Sequence, residues 1–504
     1  MNHSAVNRMA KSAGLALALG GLLASPLMAQ RKAAQEKTAH GKTAKAAAGV
    51  AGDWSGTLNA GGVQLRLVVH FTPKPGGGLA GTLDSIDQPG SNGLPFSLVR
   101  QTGAMVHAES ALIHAVFDGT LDGAGKTITG HWTQTVPLPL TLTRMTAAMR
   151  AALGRNDRPQ EPKPPYPYTS EDVSFPGGAA GVTLAGTLTL PLASTGENGP
   201  SPAAVLISGS GPNDRDETIL RHKLFLVLAD SLTRRGIAVL RYDKRGIGKS
   251  TGSYAQATSA DFAADAGAAF AYLRTRPQVN ARKIGLIGHS EGGLIAPMVA
   301  AKSPDVAFLV LLAGTGIPGE RIIAEQSALI GHAEGASDAD VAKSQVMEKK
   351  LLAVAAHETD PAAARTQIQA LMRQAMATMT PAQKKAMGDP APLIRAQSAA
   401  LASPWFHFFL TYDPAPTLKQ VHCPVLALDG SLDLQVPPSE NLAAIGAALK
   451  AGGAADVTTT ELPGLNHLFQ TAKTGSPSEY GRIEETLAPV LLTTVGDWIA
   501  AREK

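Results

Sequence analysis

The sequence has very little cysteine: Cys423 is the only one among 504 residues. A single cysteine excludes an intrachain disulfide, and it excludes a metal site built from several thiolates. Cys423 directly precedes Pro424 at the start of an apolar run, which favours a buried structural thiol.

The sequence also lacks an excess of positive charge outside its N-terminus. The calculated pI of about 9.0 reflects residues 1–49, which hold seven Lys or Arg residues and one Glu. The remaining residues hold 38 basic and 40 acidic side chains, so the main body is nearly neutral. This balance excludes a basic footprint for nucleic acid. The contents of 44% hydrophobic and 17% charged residues are typical of a soluble globular protein.

The longest apolar stretch lies at residues 13–29, where it follows Arg8 and Lys11. Two glycines and a proline interrupt this stretch, and it is short for a membrane span. A basic region, an apolar core and a small residue before Gln30 predict a secretory signal peptide over residues 1–29. We expect a periplasmic or secreted protein with no stable membrane span after processing. A retained membrane anchor is the alternative.

Changes in composition divide the rest of the chain. Residues 30–49 are low in complexity and predict a flexible linker. Residues 50–146 contain short alternating apolar segments between glycine-rich turns, which predict a small all-β barrel or sandwich. Residues 147–169 include RPQEPKPPYPY, whose prolines predict a stiff extended linker.

Residues 170–504 alternate between two textures. Apolar runs such as AAVLISGSG, KIGLIGHS and PVLALDG read as buried strands, and the stretches between them read as helices. This alternation predicts an α/β fold with a mostly parallel sheet and helices on both faces. Residues 317–420 show no strand pattern and contain helical stretches broken by prolines, so we predict a helical lid insertion there.

The stretch DKRGIGKSTG (243–252) resembles the end of a phosphate-binding loop. That motif requires a glycine five residues before Gly248, where this sequence has Asp243. A carboxylate at that position would repel phosphate, and the glycine spacing of dinucleotide-binding loops is absent too. The stretch therefore does not predict a nucleotide site.

Two serines match the G-x-S-x-G pattern of serine hydrolases, Ser250 in GKSTG and Ser290 in GHSEG. The pattern has chemical meaning only where a strand turns sharply into a helix and leaves the serine exposed at the corner. Ser290 follows the apolar strand KIGLI and directly precedes GLIAPMVAAKS, which reads as a helix. Ser250 is followed by several loop residues before the next helix begins near Ser259. Ser290 is the predicted nucleophile.

A serine nucleophile in acyl transfer needs donors for the developing oxyanion. The backbone N–H of Glu291 would point from the start of the helix toward this charge. The glycine-rich loop SGSGPNDRDE (208–217), directly after a predicted strand, is the best source of a second donor. We predict that the N–H of Ser210 supplies it, with an ordinary strand-to-helix turn as the alternative.

Serine also needs a base and an acid that orients the base. In the α/β-hydrolase chain order the acid follows the serine and the histidine comes last. His467, in LPGLNHLF, is the histidine after the last predicted sheet acid. The acid is either Asp429 at a strand end or Asp433 four residues later. Asp433 is the predicted acid because a loop position gives it freedom to reach the imidazole, while Asp429 could cap the turn.

Together these motifs resemble the α/β-hydrolase superfamily over about residues 170–504. SGSGPNDRDE, RYDKRGIGKSTG, GHSEGG, LALDGSLDLQVP and NHLF, in this order, are similar to exported serine esterases with an N-terminal β domain. The resemblance implies Ser290 as nucleophile, Asp433 as acid and His467 as base. It implies hydrolysis of a small-molecule ester without a metal or organic cofactor. The helical insertion would then cover the site as a lid, and its aromatic residues either line an acyl pocket or form the core of the lid: Trp405, Phe406, Phe408 and Phe409.

Other functions stay open at this point. The same triad serves serine peptidases, amidases and thioesterases. A function of another class is a non-catalytic envelope binding protein in which the β domain binds the ligand. The natural substrate and the oligomeric state do not follow from the sequence.

Overall fold

The computed structural model describes residues 49–60, 63–74, 77–86, 93–110, 113, 115–134, 137–153, 158–192, 199–377 and 390–502. The chain divides into two compact units, residues 1–157 with 369–398 and residues 158–368 with 399–504. The predicted signal peptide and the predicted linker up to residue 48 lie outside the described residues. Within the described ranges, no helix is long and apolar enough to cross a membrane.

The first unit is built on one antiparallel sheet with the strand order β4-β3-β2-β1-β9-β8-β7-β6-β5. Side chains alternate between the two faces of each strand, and one face encloses a core that includes Trp54, Phe117 and Ile128, each at most 1% exposed. The strands are β1 Gly52–Ala60, β2 Val63–Pro73, β3 Leu79–Ser85, β4 Leu94–Pro95, β5 Leu98–Thr102, β6 Met105–Ser110, β7 Ala115–Leu121, β8 Thr127–Thr133 and β9 Pro137–Arg144.

The second unit contains an eight-stranded sheet with the order β10-β11-β15-β12-β16-β17-β18-β19. The pairs from β15 to β19 in this order are parallel, and β10 and β11 are antiparallel additions at one edge. The strands, with a separate hairpin of β13 and β14, are β10 Tyr168–Pro176, β11 Thr183–Pro191, β12 Ser201–Ile207, β13 Thr218–Ile219, β14 His222–Lys223, β15 Ala238–Tyr242, β16 Val279–His289, β17 Leu309–Leu312, β18 Val425–Gly430 and β19 Val457–Leu462.

Helices cover both faces of this sheet, because its central strands are apolar on both sides. Helices Ser259–Arg274, Glu291–Ala300 and Pro438–Ala451 pack on one face, and helices Leu224–Arg234 and Pro489–Arg502 pack on the other. This architecture confirms the predicted fold class: an α/β-hydrolase sheet with a helical insertion, preceded by an all-β region.

The insertion between β17 and β18 is helical throughout its described residues. Its helices are Gly319–Ala333, Asp338–His357, Pro361–Ala377, Ala391–Leu401, Pro404–Thr411 and Ala415–Leu418. Residues 378–389, which include one of the predicted proline breaks, lie outside the described residues. Prolines begin two of these helices at the first turn, where the missing N–H has no intrahelical partner in any case.

The structure differs from the sequence predictions in two segments. The predicted stiff linker 147–169 contains helix Ala147–Leu153, because AAMRAAL consists of strong helix formers. Arg158, at 2% exposure, donates to the carbonyls of Leu220, Gly481 and Ile483, so this part of the segment packs within the second unit. The stretch LRHKLFLVLADSLTRRG (220–236) is one of those that read as helices, but its helix begins only at Leu224, because the preceding residues form the hairpin of β13 and β14.

Candidate active site

Ser290 lies at the turn between β16 and helix Glu291–Ala300, and its backbone is strained. Its φ of 54° and ψ of −116° are rare for a residue with a side chain. The flanking glycines make this turn possible. A Cβ atom on Gly288 would lie 2.0 Å from the carbonyl oxygen of Gly292, and one on Gly292 would lie 1.9 Å from that of Ile207. The G-x-S-x-G spacing is thus a packing requirement at Ser290.

Asp433 and His467 form a close pair in the same unit. The Asp433 Oδ2 atom lies 2.6 Å from Nδ1 of His467, and both side chains are at most 6% exposed. Asp433 is also held by the N–H groups of Gln435 and Val436, which donate to its Oδ1 atom. Burial opposes the charge of Asp433, but the His467 imidazole outweighs it and holds the pKa of this carboxyl below its ordinary value. This is the arrangement in which a carboxylate fixes the tautomer of a histidine.

Asp429, the alternative acid, has a different environment. Its Oδ1 atom accepts the N–H of Gly430, and its side chain is fully buried at the end of β18. Burial and the neighbouring charge of Asp433 raise the pKa of Asp429 well above its ordinary value, so its neutral form is favoured. The structure therefore places Asp433 against the histidine and Asp429 next to Asp433.

His289 connects the Ser290 turn to the His467 loop. Its Nε2 atom donates to the carbonyl oxygen of His467 at 3.0 Å, and the two imidazole rings lie 5.0 Å apart between centroids. Because His289 directly precedes Ser290 in the chain, these contacts bring the three predicted catalytic residues to one rim of the sheet. This rim is the carboxyl end of the parallel strands, where sites in such sheets occur.

The loop after β12 presents the N–H of Ser210. The carbonyl oxygen of Gly209 accepts from Lys244 Nζ at 2.6 Å and from Asn213 Nδ2 at 2.7 Å. Since a trans peptide directs its C=O and N–H in opposite directions, these two bonds fix the direction of the Ser210 N–H. Gly209 lies beside the nucleophile turn, because a Cβ atom built on it would be 3.1 Å from Cβ of Ser290. Among the described residues, no acceptor contacts the Ser210 N–H.

The N–H of Glu291 is the second predicted donor. The carbonyl of Ser290 accepts from the N–H of Gly293, which turns the Glu291 N–H out of the helix N-terminus. Within the described part of the chain, no acceptor contacts this N–H either. The Glu291 side chain is buried and accepts from Lys244, Ser259 and Trp405. Two uncommitted N–H groups therefore flank Ser290, as an oxyanion site requires.

Ser250, the other G-x-S-x-G serine, is structural. Its hydroxyl donates to the carbonyl of Asp243 at 2.7 Å and accepts the N–H of Ala185 at 2.9 Å. Both bonds are buried and close the loop 243–252 onto β11. Lys244 of this loop nevertheless reaches the site through Gly209 and Glu291.

One helix of the insertion contacts the site directly. Trp405, in helix Pro404–Thr411, donates its indole N–H to Glu291 Oε1 at 2.6 Å. Its ring stacks on Phe409 at 5.5 Å between centroids, while Phe408 stacks on Tyr412. Phe406 and Phe409 are buried, so part of the aromatic group forms the packed interior of the insertion.

Four supporting residues escaped the sequence reasoning: Asn213, Glu217, Lys244 and His289. Each is a polar residue within SGSGPNDRDE, DKRGIGKSTG or GHSEG, and each is buried or half-buried because segments that are distant in the sequence pack around it. For Asn213, Glu217 and Lys244 the sequence signal is the density of charged residues in SGSGPNDRDE and DKRG, which turn chemistry alone does not explain; His289 has no such signal. Among the residues that the structure describes, no group of His, Cys, Asp and Glu side chains could hold a metal ion.

One family model and one characterised relative match part of this chain. The family model described as "Hydrolase_4: Serine aminopeptidase, S33" matches residues 222–471, which include Ser290, Asp433 and His467. Esterase EstD of Thermotoga maritima is 33% identical over 162 residues, 32% of this chain and 36% of that protein, so the chain spans about a third of this relative.

Two solved structures are also similar. The α/β hydrolase GrgF of Penicillium sp. sh18 has a TM-score of 0.41 and 18% identity over 66% of this chain and 99% of its own. The Pyrococcus furiosus esterase Pf2001 has a TM-score of 0.40 and 14% identity over 66% of this chain and 91% of its own.

Proposed function

We propose that the chain is a serine esterase of the α/β-hydrolase superfamily, which cleaves small carboxylic esters through an acyl-enzyme intermediate. The observation that carries the proposal is the convergence at one rim of the strained Ser290 turn and the buried Asp433–His467 pair. The name of the relative EstD also favours an ester as the substrate.

The proposed reaction has two halves. The Ser290 hydroxyl attacks the ester carbonyl while Nε2 of His467 accepts its proton, and the charge on the former carbonyl oxygen is stabilised by the N–H groups of Ser210 and Glu291. The C–O bond to the alcohol then breaks, and His467 protonates the leaving oxygen. In the second half, His467 accepts a proton from water, whose oxygen attacks the acyl carbon. The bond between the acyl carbon and Ser290 Oγ then breaks, and His467 returns the proton to Oγ, which releases the acid and free Ser290.

Each residue supplies a definable share of the rate. Asp433 accepts from Nδ1 of His467, which leaves Nε2 as the atom that acts as the base in this mechanism. Each oxyanion donor is worth about 100- to 1000-fold in kcat in enzymes of this chemistry. The buried Lys244 contributes indirectly, because its bond to the Gly209 carbonyl orients the Ser210 N–H.

The same groups could cleave an amide or a thioester, and the matching family model is described as a serine aminopeptidase. Turnover of a p-nitrophenyl ester should therefore be compared with turnover of an aminoacyl p-nitroanilide and of an acyl thioester. We expect the p-nitrophenyl ester to have the highest kcat/KM and Ser290→Ala to abolish its turnover. Faster anilide turnover would replace the esterase proposal with a peptidase, and full activity of S290A would refute the mechanism.

A non-catalytic binding protein would show no turnover of any of the three substrates.

We also propose that residues 1–29 direct export to the periplasm or the medium. Intact-mass measurement of the full-length chain recovered from a periplasmic extract tests this proposal: we expect the loss of the first 29 residues or a close number. An uncleaved chain would contradict it.

A further inference from the structure

Glu217 places a fully buried carboxylate between the loop after β12 and the Ser290 turn. Its Oε1 atom accepts the N–H of Gly209 at 2.6 Å and lies 3.0 Å from Nδ1 of His289. The side chain is 0% exposed, and its other oxygen, Oε2, has no hydrogen-bond partner among the described residues. Glu217 also has a positive φ of 48°, so its backbone adopts a conformation that non-glycine residues rarely take.

His289 extends this contact to the catalytic histidine. Its Nε2 atom must carry a hydrogen, because the carbonyl oxygen of His467 to which it donates can only accept. A carboxylate oxygen can likewise only accept, so a hydrogen on Nδ1 strengthens this contact and the doubly protonated ring is favoured. Burial opposes this charge, but the Glu217 carboxylate outweighs it and holds the pKa of His289 above its ordinary value.

The pair fixes two parts of the reaction geometry at once. Glu217 holds the peptide that enters Gly209, and Asn213 and Lys244 hold the next peptide, whose N–H is the Ser210 donor. His289 holds the backbone of His467, and Asp433 holds its ring. The Ser210 N–H and the His467 side chain are thus both positioned relative to Ser290, because His289 directly precedes Ser290 in the chain.

A structural role alone explains this pair poorly. Buried ion pairs commonly contribute little to stability compared with apolar residues of the same size, because both charges lose their hydration. Here the pair also requires a strained residue and leaves one carboxylate oxygen without a recorded partner among the described residues. A requirement for fixed geometry around Ser290 accounts for these features.

We propose that Glu217 is a positioning residue which, together with His289, sets the Ser210 N–H and the His467 imidazole relative to Ser290. The proposal rests on the proposed function, since it concerns the same site. Glu217 itself contacts no reacting atom.

The test uses two variants of the full chain and one control. Glu217→Ala removes the acceptor, and Glu217→Gln retains the size but not the charge that stabilises the His289 cation. Glu348→Gln is the matched control, because Glu348 is also a buried carboxylate, in helix Asp338–His357, and accepts from Ser327 Oγ at 2.5 Å. Burial raises the pKa of Glu348 to about 7, so the amide replaces a carboxyl whose charged form is disfavoured compared with an exposed glutamate.

For each variant, the kcat of p-nitrophenyl ester hydrolysis is divided by the fraction of serine that a fluorophosphonate titrates, so that unfolded protein does not count. We expect kcat per titrated site to fall about 100-fold in E217A and about tenfold in E217Q, as for a misplaced oxyanion donor. KM should change by less than about threefold, because ground-state binding does not use the oxyanion site. The inhibition constant of a phenylboronic acid, whose tetrahedral adduct occupies that site, should rise in the same proportion.

The outcomes separate a positioning role from a structural one. An unchanged kcat per titrated site in E217Q, with a lower melting temperature alone, would overturn the proposal even if E217A fails to fold. An equal loss in E348Q would also overturn it, because the effect would then follow from any buried carboxylate. If S290A retains activity, the proposed function fails; if S290A is inactive and E217Q is unaffected, only the positioning proposal fails.

Discussion

At the scale of single residues, Asp429 and Asp433 show how environment assigns a role to a side chain. They are four residues apart after the same strand, and both are buried. Burial raises the pKa of Asp429, while His467 overcomes the effect of burial at Asp433 and lowers its pKa. The neutral form of Asp429 and the anionic form of Asp433 are therefore favoured, and the anion is the one that contacts the histidine.

This difference predicts opposite results for two isosteric substitutions. Asp433→Asn should lower kcat by about 10⁴-fold, because an amide does not hold the correct tautomer of the histidine. Asp429→Asn should keep kcat within about tenfold, because an amide resembles a neutral carboxylic acid. Steady-state kinetics on a p-nitrophenyl ester measure both. A larger loss in D429N than in D433N would reverse the assignment of the acid.

Gly209 offers a second test at this scale. A Cβ atom there would lie 3.0 Å from Glu217 Oε1 and 3.1 Å from Cβ of Ser290, closer than these neighbours can accommodate without shifting. Gly209→Ala should therefore lower kcat by about 100-fold through displacement of the loop. Gly267→Ala is the control, since a Cβ on this helical glycine meets nothing within 4 Å and should stabilise the helix by about 1 kcal/mol. Equal activity of the two variants would contradict the close approach at Gly209.

At the scale of elements, helix Pro404–Thr411 is joined to the nucleophile turn by one hydrogen bond, from the Trp405 indole to Glu291. Glu291 is also the proposed backbone donor beside Ser290, so the helical insertion and the proposed oxyanion site share a residue. The position of this helix should therefore affect how substrate binds.

Trp405→Phe should lower the free energy of unfolding by about 2 kcal/mol, the loss expected for a hydrogen bond to a charged group, and should raise KM for esters. Trp498→Phe is the matched control, because the indole N–H of Trp498 has no hydrogen-bond partner among the described residues. Chemical denaturation and initial rates measure the two effects. An unchanged KM in W405F, or an equal rise in W498F, would show that the helix does not influence substrate binding.

At the scale of the whole molecule, sequence reasoning succeeded where local pattern determines structure. Apolar runs ending in Gly or Asp predicted the parallel strands, and the order serine, acid, histidine identified Ser290, Asp433 and His467 as candidates that the structure brings to one rim. The glycines of GHSEG predicted the sharp turn, because their reason is the close approach of backbone atoms within that turn.

The remaining features depend on distant segments and could not be predicted in this way. Glu217 and His289 are 72 residues apart, and His289 and the His467 carbonyl are 178 residues apart. Arg158 lies in a segment that the sequence predicts to be a linker. The proline-rich composition of that segment does not reveal the three carbonyls in later loops to which Arg158 donates. Burial of a charged residue is set by what packs around it, and propensity and periodicity carry no information on that packing.

The most direct test of the central claim is covalent labelling of the wild-type protein and of His467→Gln with a fluorophosphonate, followed by peptide mass spectrometry. We expect a single adduct on Ser290 in the wild type and a labelling rate at least about 100-fold lower in H467Q, because serine is a weak nucleophile without its base. An adduct on Ser250, or equal labelling rates in the two proteins, would contradict the account.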